Sequence, residues 1–591
     1  MKNIFRVFFM IALGLFLFYI TLLSLSSSGS IDKKLNVATL IEAPTGQVVK
    51  EVVPEIDNMP FKDNPDLYQN DDPSSIVYMY VTVRKGNSSD NTDHTWQQVN
   101  DFAKWVNGLP TYIVVGKAET IIQIGDENGP LPGEVGYGET VPNATIQIRG
   151  NSTSAKAQKS YKIELRSRAG EWRGQLTINL NKHVFDITRA RNKLSFDLIK
   201  QIPNMVSLRT QYVRLFVKDE TTDPPKITFV DYGLFTQVEQ PNRRFLRDHL
   251  LDSDGQLYKA TFFEFLRYPD QIHMADDPLY DEKEFSKILE IKGNKDHSKL
   301  IQMLDDVNDP NIPIEQTFEK YFNADNYFTW LAFNILMGNL DTQAQNFYLY
   351  SPRNGNKWYF IPWDYDGDLA RQAGFYQYDY FEFGISNYWG VSLHKRVLKV
   401  ARYRQMLDTK MNALMNFLTP DQLDGMLREY KKVTDVYSLQ MPDIYYLRGS
   451  QADYEKEYER IPGEIQINYN LYLESLNSPM PYFLGTPTLI ENSLIFNWGE
   501  SYDFNAQDIS YHFVVSTDWE FSNIVDEETV TNLDSVKIDV LSPGTYFWRV
   551  TATNEIGKTQ YPFDMYLDAD GLPHAGMKYL YITTDGRILE E

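Results

Sequence analysis

The pattern of apolar and polar residues divides the chain into a strand-rich first half, a helical second half and a strand-rich end. Residues 76–83, IVYMYVTV, form an apolar run that predicts a buried strand. Further strands are expected at 111–115 and 120–124, before a Gly/Pro-rich loop over 125–138. Residues 144–165, ATIQIRGNSTSAKAQKSYKIEL, alternate at both ends and are small and polar in the middle. That is a hairpin with a flexible tip. Leu194, Leu198, Ile199 and Ile202 predict a helix over 189–202. Strands at 212–218 and 227–239 follow, joined by a turn at 221–225. After about residue 280 the period becomes helical. Tyr321, Phe328, Leu331, Ala332, Ile335 and Leu336 place a helix within 318–341. The segment 346–366 reads as a hairpin around Asn354-Gly355. More helices are expected at 395–418, 420–433 and 451–476. Strands followed by helices make an α+β arrangement. Residues 484–565 return to alternation in SLIFNWGES, SYHFVVSTD and GTYFWRVTATNEIGKTQ, which predicts a small β-sandwich.

The N-terminus changes the picture of placement. Lys2 and Arg6 precede an uncharged apolar run over 7–25, long enough to span a bilayer. No small-residue cleavage pattern follows, so the run reads as an uncleaved anchor, with a cleaved signal as the alternative. Positive charge before it predicts a single-pass membrane protein with its bulk extracytoplasmic, or a secreted protein if the signal is cleaved. With 591 residues the chain needs several cores. The expected units are an anchor or signal over 1–30, a Pro-rich stalk over 31–75, a main domain over 76–483 and the sandwich over 484–591.

Composition then narrows the function. A net charge of −23 argues against non-specific nucleic-acid binding, which needs a basic surface. The absence of Cys excludes disulfides, thiolate catalysis and Cys-rich zinc sites, and fits a bacterial exported protein. The eight His are scattered, none at metal-binding i,i+4 spacing.

Two acidic sites are candidates for chemistry. Asp341 ends a buried helix and Asn346 opens the next strand. Asp364, Asp366 and Asp368 lie in PWDYDGD at the end of the returning strand. Singly these signals are weak, since an Asp after a helix or strand is commonly a solvated turn residue. Their order carries more: helix, Asp, Asn, strand, turn, strand and Asp follow one another within 26 residues. The catalytic and metal-binding segments of a protein kinase follow in that order.

The blocks IRGNSTSAKAQKSYKIEL, RNKLSFDLIKQI, YVRLFVKD, YGLFTQVEQ, NLDTQAQNFYLY and KWYFIPWDYDGD together resemble the CotH family of spore coat protein H and its kinase-like relatives. The resemblance runs over roughly residues 110–480. It implies a divergent bilobal protein-kinase fold and ATP-dependent phosphorylation of Ser on secreted or coat proteins, with Mg2+ or Mn2+. On that reading Asp341 is the catalytic Asp, Asn346 and Asp364 bind the metal, and Asp366 stands second to them. The hairpin tip, Gly150, Asn151 and Ser152 through to Ser154, would cover the nucleotide through its N–H groups and hydroxyls. A basic residue near the tip must reach the phosphates: Lys162 is the first choice, Lys159 and Arg149 the alternatives. Glu164 and Asp197 are the acids that could pair with it. Glu239 and Gln240 would link the lobes and line the adenine pocket. There is no G-x-G-x-x-G, no His-Arg before Asp341, and Asp366 occupies the position of the D-F-G glycine. Near the C-terminus, Trp498, Tyr511, Val515 and the run 543–550 leading to Asn554 and Gly557 resemble a fibronectin type III module, a spacer or docking surface. Two other functions fit the same features: a non-catalytic surface adhesion or scaffold protein, and a kinase fold that transfers AMP.

Overall fold

The structure, a computed structural model, describes residues 61–106, 109–110, 114–370, 381–568 and 572–589. The apolar run 7–25, residues 31–60 of the expected stalk and most of the strand expected at 111–115 lie outside the described residues.

The apolar strand Ile76–Arg84 pairs antiparallel with Ala118–Asp126 and parallel with Thr210–Asp219. From Thr210–Asp219 the pairing continues through Val230–Val238, Thr177–Asn181, Ser160–Leu165 and Ala144–Arg149. It then returns to Ala118–Asp126, so the first lobe closes into a barrel without a free edge. Alternation decides which side chains fill it. Ile146, Ile148, Ile163, Ile178, Leu180, Val213 and Leu215 share one core. Gln147 lies opposite Lys162 across the ladder, and Arg149 is two residues further along. Arg149 and Lys162 therefore share the other face, a placement that matters for the site. Helix Arg191–Ile199 is buried along its whole length against the barrel and the second lobe.

The second lobe is a four-stranded antiparallel sheet in the order Leu289–Ile291, Gln256–Ala260, Phe347–Ser351, Tyr359–Pro362. Behind it lies helix Ala324–Met337, buried from Asn326 to Met337. Asn323 caps its N-terminus and Gly338, at φ +62°, ends it. Trp330 stacks on Phe360 at 4.5 Å, joining this helix to the sheet. Residues 61–75 pack on the same body: the Phe61 ring is stacked 4.4 Å from Tyr359.

The C-terminal region is all β. Thr488–Ile490, Ser493–Asn497 and Ser535–Asp539 form one antiparallel sheet. A larger antiparallel sheet is built on Ile509–Ser516 and Gly544–Asn554. Phe496, Phe513, Val515 and Trp548 fill the space between the two. This sandwich is docked on the second lobe, with Tyr502 and Phe504 each 5.5 Å from the buried Trp389 ring. The architecture is thus the expected one: a bilobal kinase-like α+β body followed by a β-sandwich.

The membrane expectation needs correction. Among the described residues no helix is long and apolar enough to cross a bilayer. The most apolar long helix, Ala324–Met337, has 14 residues. It rises only about 21 Å, against a hydrocarbon core of roughly 30 Å. Its apolar surface is spent inside the second lobe. The described residues thus contradict the single-pass topology, the membrane as a partner and the membrane localisation.

Candidate active site

The acidic residues meet because a helix end and a strand end are tied together. After Gly338 the chain enters a short turn, Leu340–Thr342, that carries Asp341. The side chain of the buried Asn339 accepts from the Asp341 N–H at 3.4 Å and donates to the Asp364 carbonyl at 3.5 Å. One amide thus spans both acidic segments. Asn346 and Asp364 hold φ at +57° and +64°, and His183 and Arg189 nearby stand at +47° and +58°. Side chains rarely adopt this backbone region, and residues held in it gather at functional sites.

Burial pushes the Asp341 carboxyl up to about 7, with Asp364 and Asp366 adding repulsion. Burial and then Asp366 raise Asp364 to about 6, against the pull of Lys259 and Arg149. Three carboxylates therefore share one electrostatic environment. Asp368 is fully buried and receives the Ser195 hydroxyl.

The opposing wall is basic. The Arg149 guanidinium reaches from the barrel to 5.8 Å from the Trp363 ring. Lys259 approaches the same ring to 5.9 Å from the second lobe. Lys259 pairs in register with Glu290 on one side and Tyr348 on the other, so the three side chains share one face of the sheet. Burial opposes ionisation of Glu290, but Lys259, Lys292 and Lys104 hold it down at about 2. Burial, with Arg149 close by, lowers Lys104 to about 8.

At the hairpin tip Gly150 has φ +83°, and a Cβ there would lie 2.1 Å from the Thr153 hydroxyl oxygen. Only glycine fits this turn. Asn151 and Ser152 are exposed. Ser154 is buried and pins the tip, accepting from the Lys104 N–H at 2.9 Å and donating to the Asn151 carbonyl at 2.5 Å. Lys159 donates to the Ser154 carbonyl at 2.6 Å, so its ammonium braces the tip. Lys162 pairs with Glu164 at 2.8 Å, and Glu164 also takes Lys117 at 3.1 Å. Of the two acids considered for the basic residue, Glu164 makes the pair. Asp197 instead binds Lys193, Lys200 and the Tyr430 hydroxyl.

The Glu239 side chain is engaged within the protein. Its carboxylate is buried between Arg209 and His249, the latter at 3.0 Å. A buried carboxylate needs such partners. Gln240 is the one that bridges the lobes, donating to the Tyr348 hydroxyl at 3.2 Å and accepting from Asn179 at 3.1 Å. Sequence reasoning missed Lys104, Lys259, Glu290, Asn339 and His183. Only Asn339 carried a local signal, standing inside NLDTQAQN.

Among the described residues no group of three or more His, Cys, Asp and Glu is arranged as a ready metal site. Magnesium needs less than that: one or two carboxylates, with waters and substrate phosphates completing its shell. Asp341, Asp364 and Asp366 bring hard carboxylate oxygens into one environment. Burial, and after it the neighbouring carboxylates, push Asp341 and Asp364 up. The donor set fits a divalent cation.

These shifts fix a pH dependence. Asp341 and Asp364 bind protons more tightly folded than unfolded, where a carboxyl titrates near about 4. Their contribution to stability is therefore lost as pH rises from about 4 through about 7. In metal-free buffer at pH 7.5, Asp341→Asn is expected to melt about 2–4 °C above wild type. The gain should shrink toward zero by pH 4.5. Differential scanning calorimetry across this range checks it, and a gap that stays constant or grows on acidification rejects the assignment.

Residues 146–471, more than half of the chain, match the family model described as CotH kinase protein. No curated protein matches the chain.

Proposed function

The chain belongs to the CotH kinase protein family, and on that premise we propose that it transfers the γ-phosphate of ATP to Ser or Thr hydroxyls of a protein substrate. The observation that supports this best is the meeting of Asp341, Asp364 and Asp366 opposite Arg149. Asp341, raised to about 7, is suited to accept the proton of the attacking hydroxyl near neutral pH. Asn346 and Asp364, with Asp366, would hold Mg2+ or Mn2+. The bound cation neutralises charge on the phosphates. Arg149 and Lys259 face the carboxylates and would donate to phosphate oxygens, with Lys162 on the same barrel face. Gly150, Asn151 and Ser152 cover the phosphates, and the segment at Gln240 contacts the base.

A secreted or coat protein rich in Ser is the substrate class the family implies. We further read the sandwich as a fibronectin type III-like module that serves as spacer or docking surface. Met480 belongs to the core of the second lobe and Tyr482 to that of the sandwich, so the two units meet there.

Purified protein incubated with Mg2+, a Ser-rich acceptor and ATP labelled at either the γ- or the α-phosphate tests the reaction. Label on the acceptor from the γ-position alone is expected. Label from the α-position would replace phosphoryl transfer by AMP transfer. No label from either leaves the scaffold reading.

A further inference from the structure

His183 follows strand Thr177–Asn181, 183 residues before Asp366 in the chain, and is 3% exposed. Its Nδ1 lies 3.1 Å from the Asp366 Oδ2. Its Nε2 lies 3.2 Å from the Asn192 Nδ2, on the buried helix Arg191–Ile199. The orientation of Asn192 is set in turn, because its Oδ1 accepts from the Tyr365 N–H at 3.4 Å. An amide whose oxygen is so used can offer only its NH2 group to the ring. Nε2 is then the acceptor, and the ring proton sits on Nδ1, directed at Asp366.

The backbone supports the same device. His183 holds φ +47°, a conformation that costs free energy unless its surroundings impose it. The imposition is visible: the Arg189 guanidinium donates to the carbonyls of Lys182 and His183. The chain is bent here in a way that presents Nδ1 to Asp366. The same buried helix also reaches the acidic segment through Ser195 and Asp368.

We propose that His183, oriented by Asn192, is a positioning residue that fixes one oxygen of Asp366 and so directs the other toward the metal. The proposal rests on the metal-dependent reading of the cleft. A ligand held by a hydrogen bond from behind loses less freedom on binding, and removal of such a partner typically weakens metal affinity by about 10–100-fold.

The test uses two variants of similar size. In His183→Asn the side-chain amide nitrogen occupies the place of Nδ1 and keeps the bond to Asp366; Asn also tolerates positive φ. In His183→Gln the amide nitrogen falls near the place of Nε2 and the bond is lost. Mn2+ affinity is measured by electron paramagnetic resonance with a non-hydrolysable ATP analogue, and melting temperature in parallel. His183→Asn is expected to bind Mn2+ within about threefold of wild type, and His183→Gln about tenfold or more weaker. Equal affinities in the two variants overturn the proposal, because a merely structural role would not separate them. If His183→Gln does not fold, Asn192→Leu replaces it: a similar loss of affinity is expected, and wild-type affinity overturns the proposal. If wild type binds Mn2+ with the nucleotide and Asp364→Ala does not, a failure in the His183 variants sinks the positioning role alone. If wild type itself binds no Mn2+ with the nucleotide, both readings fall.

Discussion

Asp364→Ala is expected to abolish metal-dependent ATP binding, whereas Asp341→Asn should bind ATP within about threefold of wild type yet transfer phosphate about 10²–10⁴-fold more slowly. The two residues share an electrostatic environment, since each carboxyl is raised first by burial and then by a neighbouring carboxylate. Their roles differ. A triphosphate carries dense negative charge and this chain has a net charge of −23. ATP can approach these carboxylates only with a divalent cation between them. Asp364, fixed at positive φ beside Trp363, is the principal oxygen ligand in this reading. In the same reading Asp341 acts on the hydroxyl, so its amide would keep the shape but could not take the proton. Calorimetric titration of ATP with Mg2+ and a label-transfer assay on the same preparations separate the effects. Equal loss of binding in both variants would place Asp341 among the metal ligands and leave the hydroxyl without its base.

Lys182→Met should destabilise the protein by about 3–5 kcal/mol, the usual cost of leaving a buried charge unpaired. Lys182 and Asp443 are each 2% exposed at the side chain and pair at 2.7 Å. The ammonium also donates to the carbonyls of Tyr232 and Leu234, at 2.7 and 3.0 Å. Asp443 accepts from the Leu234 N–H at 2.7 Å and from Gln158 at 3.1 Å. The pair binds the barrel to the segment after helix Pro420–Tyr437. Gly233 is required there: at φ +80° its Cβ would fall 1.8 Å from the Asp443 Oδ2. Denaturant melts of Lys182→Met and of the double variant Lys182→Met, Asp443→Leu measure the coupling. The double variant should recover much of the loss, because it removes the stranded carboxylate as well. A single variant within about 1 kcal/mol of wild type would show that the pair adds little, as surface pairs do.

Local pattern was enough for most of the elements. The alternation of 144–165 placed the hairpin, seen as Ala144–Arg149 and Ser160–Leu165. The helical spacing around Phe328 and Leu331 placed helix Ala324–Met337. Asp341, Asn346 and Asp364 could be singled out because helix, turn and strand follow one another without interruption. Barrel closure was not legible, because it rests on the parallel pairing of Ile76–Arg84 with Thr210–Asp219, more than a hundred residues apart. The basic wall was hidden for the same reason. Arg149 and Lys162 share a face, and nothing in the strand tells which one meets the carboxylates across the cleft. Lys104, Lys259 and Glu290 come from separate segments whose proximity exists only after folding. Glu239 stood at the right place in the chain, but its side chain is taken by Arg209 and by His249, ten residues later. The apolar N-terminal run fitted a length rule, and the described structure holds no membrane-spanning helix to set beside it.

Isothermal titration of the wild-type protein with ATP, in the presence and absence of Mg2+, bears most directly on the central claim that the cleft between Asp341, Asp364 and Arg149 is a metal-dependent nucleotide site. Saturable binding with Mg2+, lost on its removal and restored by Mn2+, is the result predicted. Binding of equal strength without any divalent ion, or no binding at millimolar ATP with either metal, would contradict it.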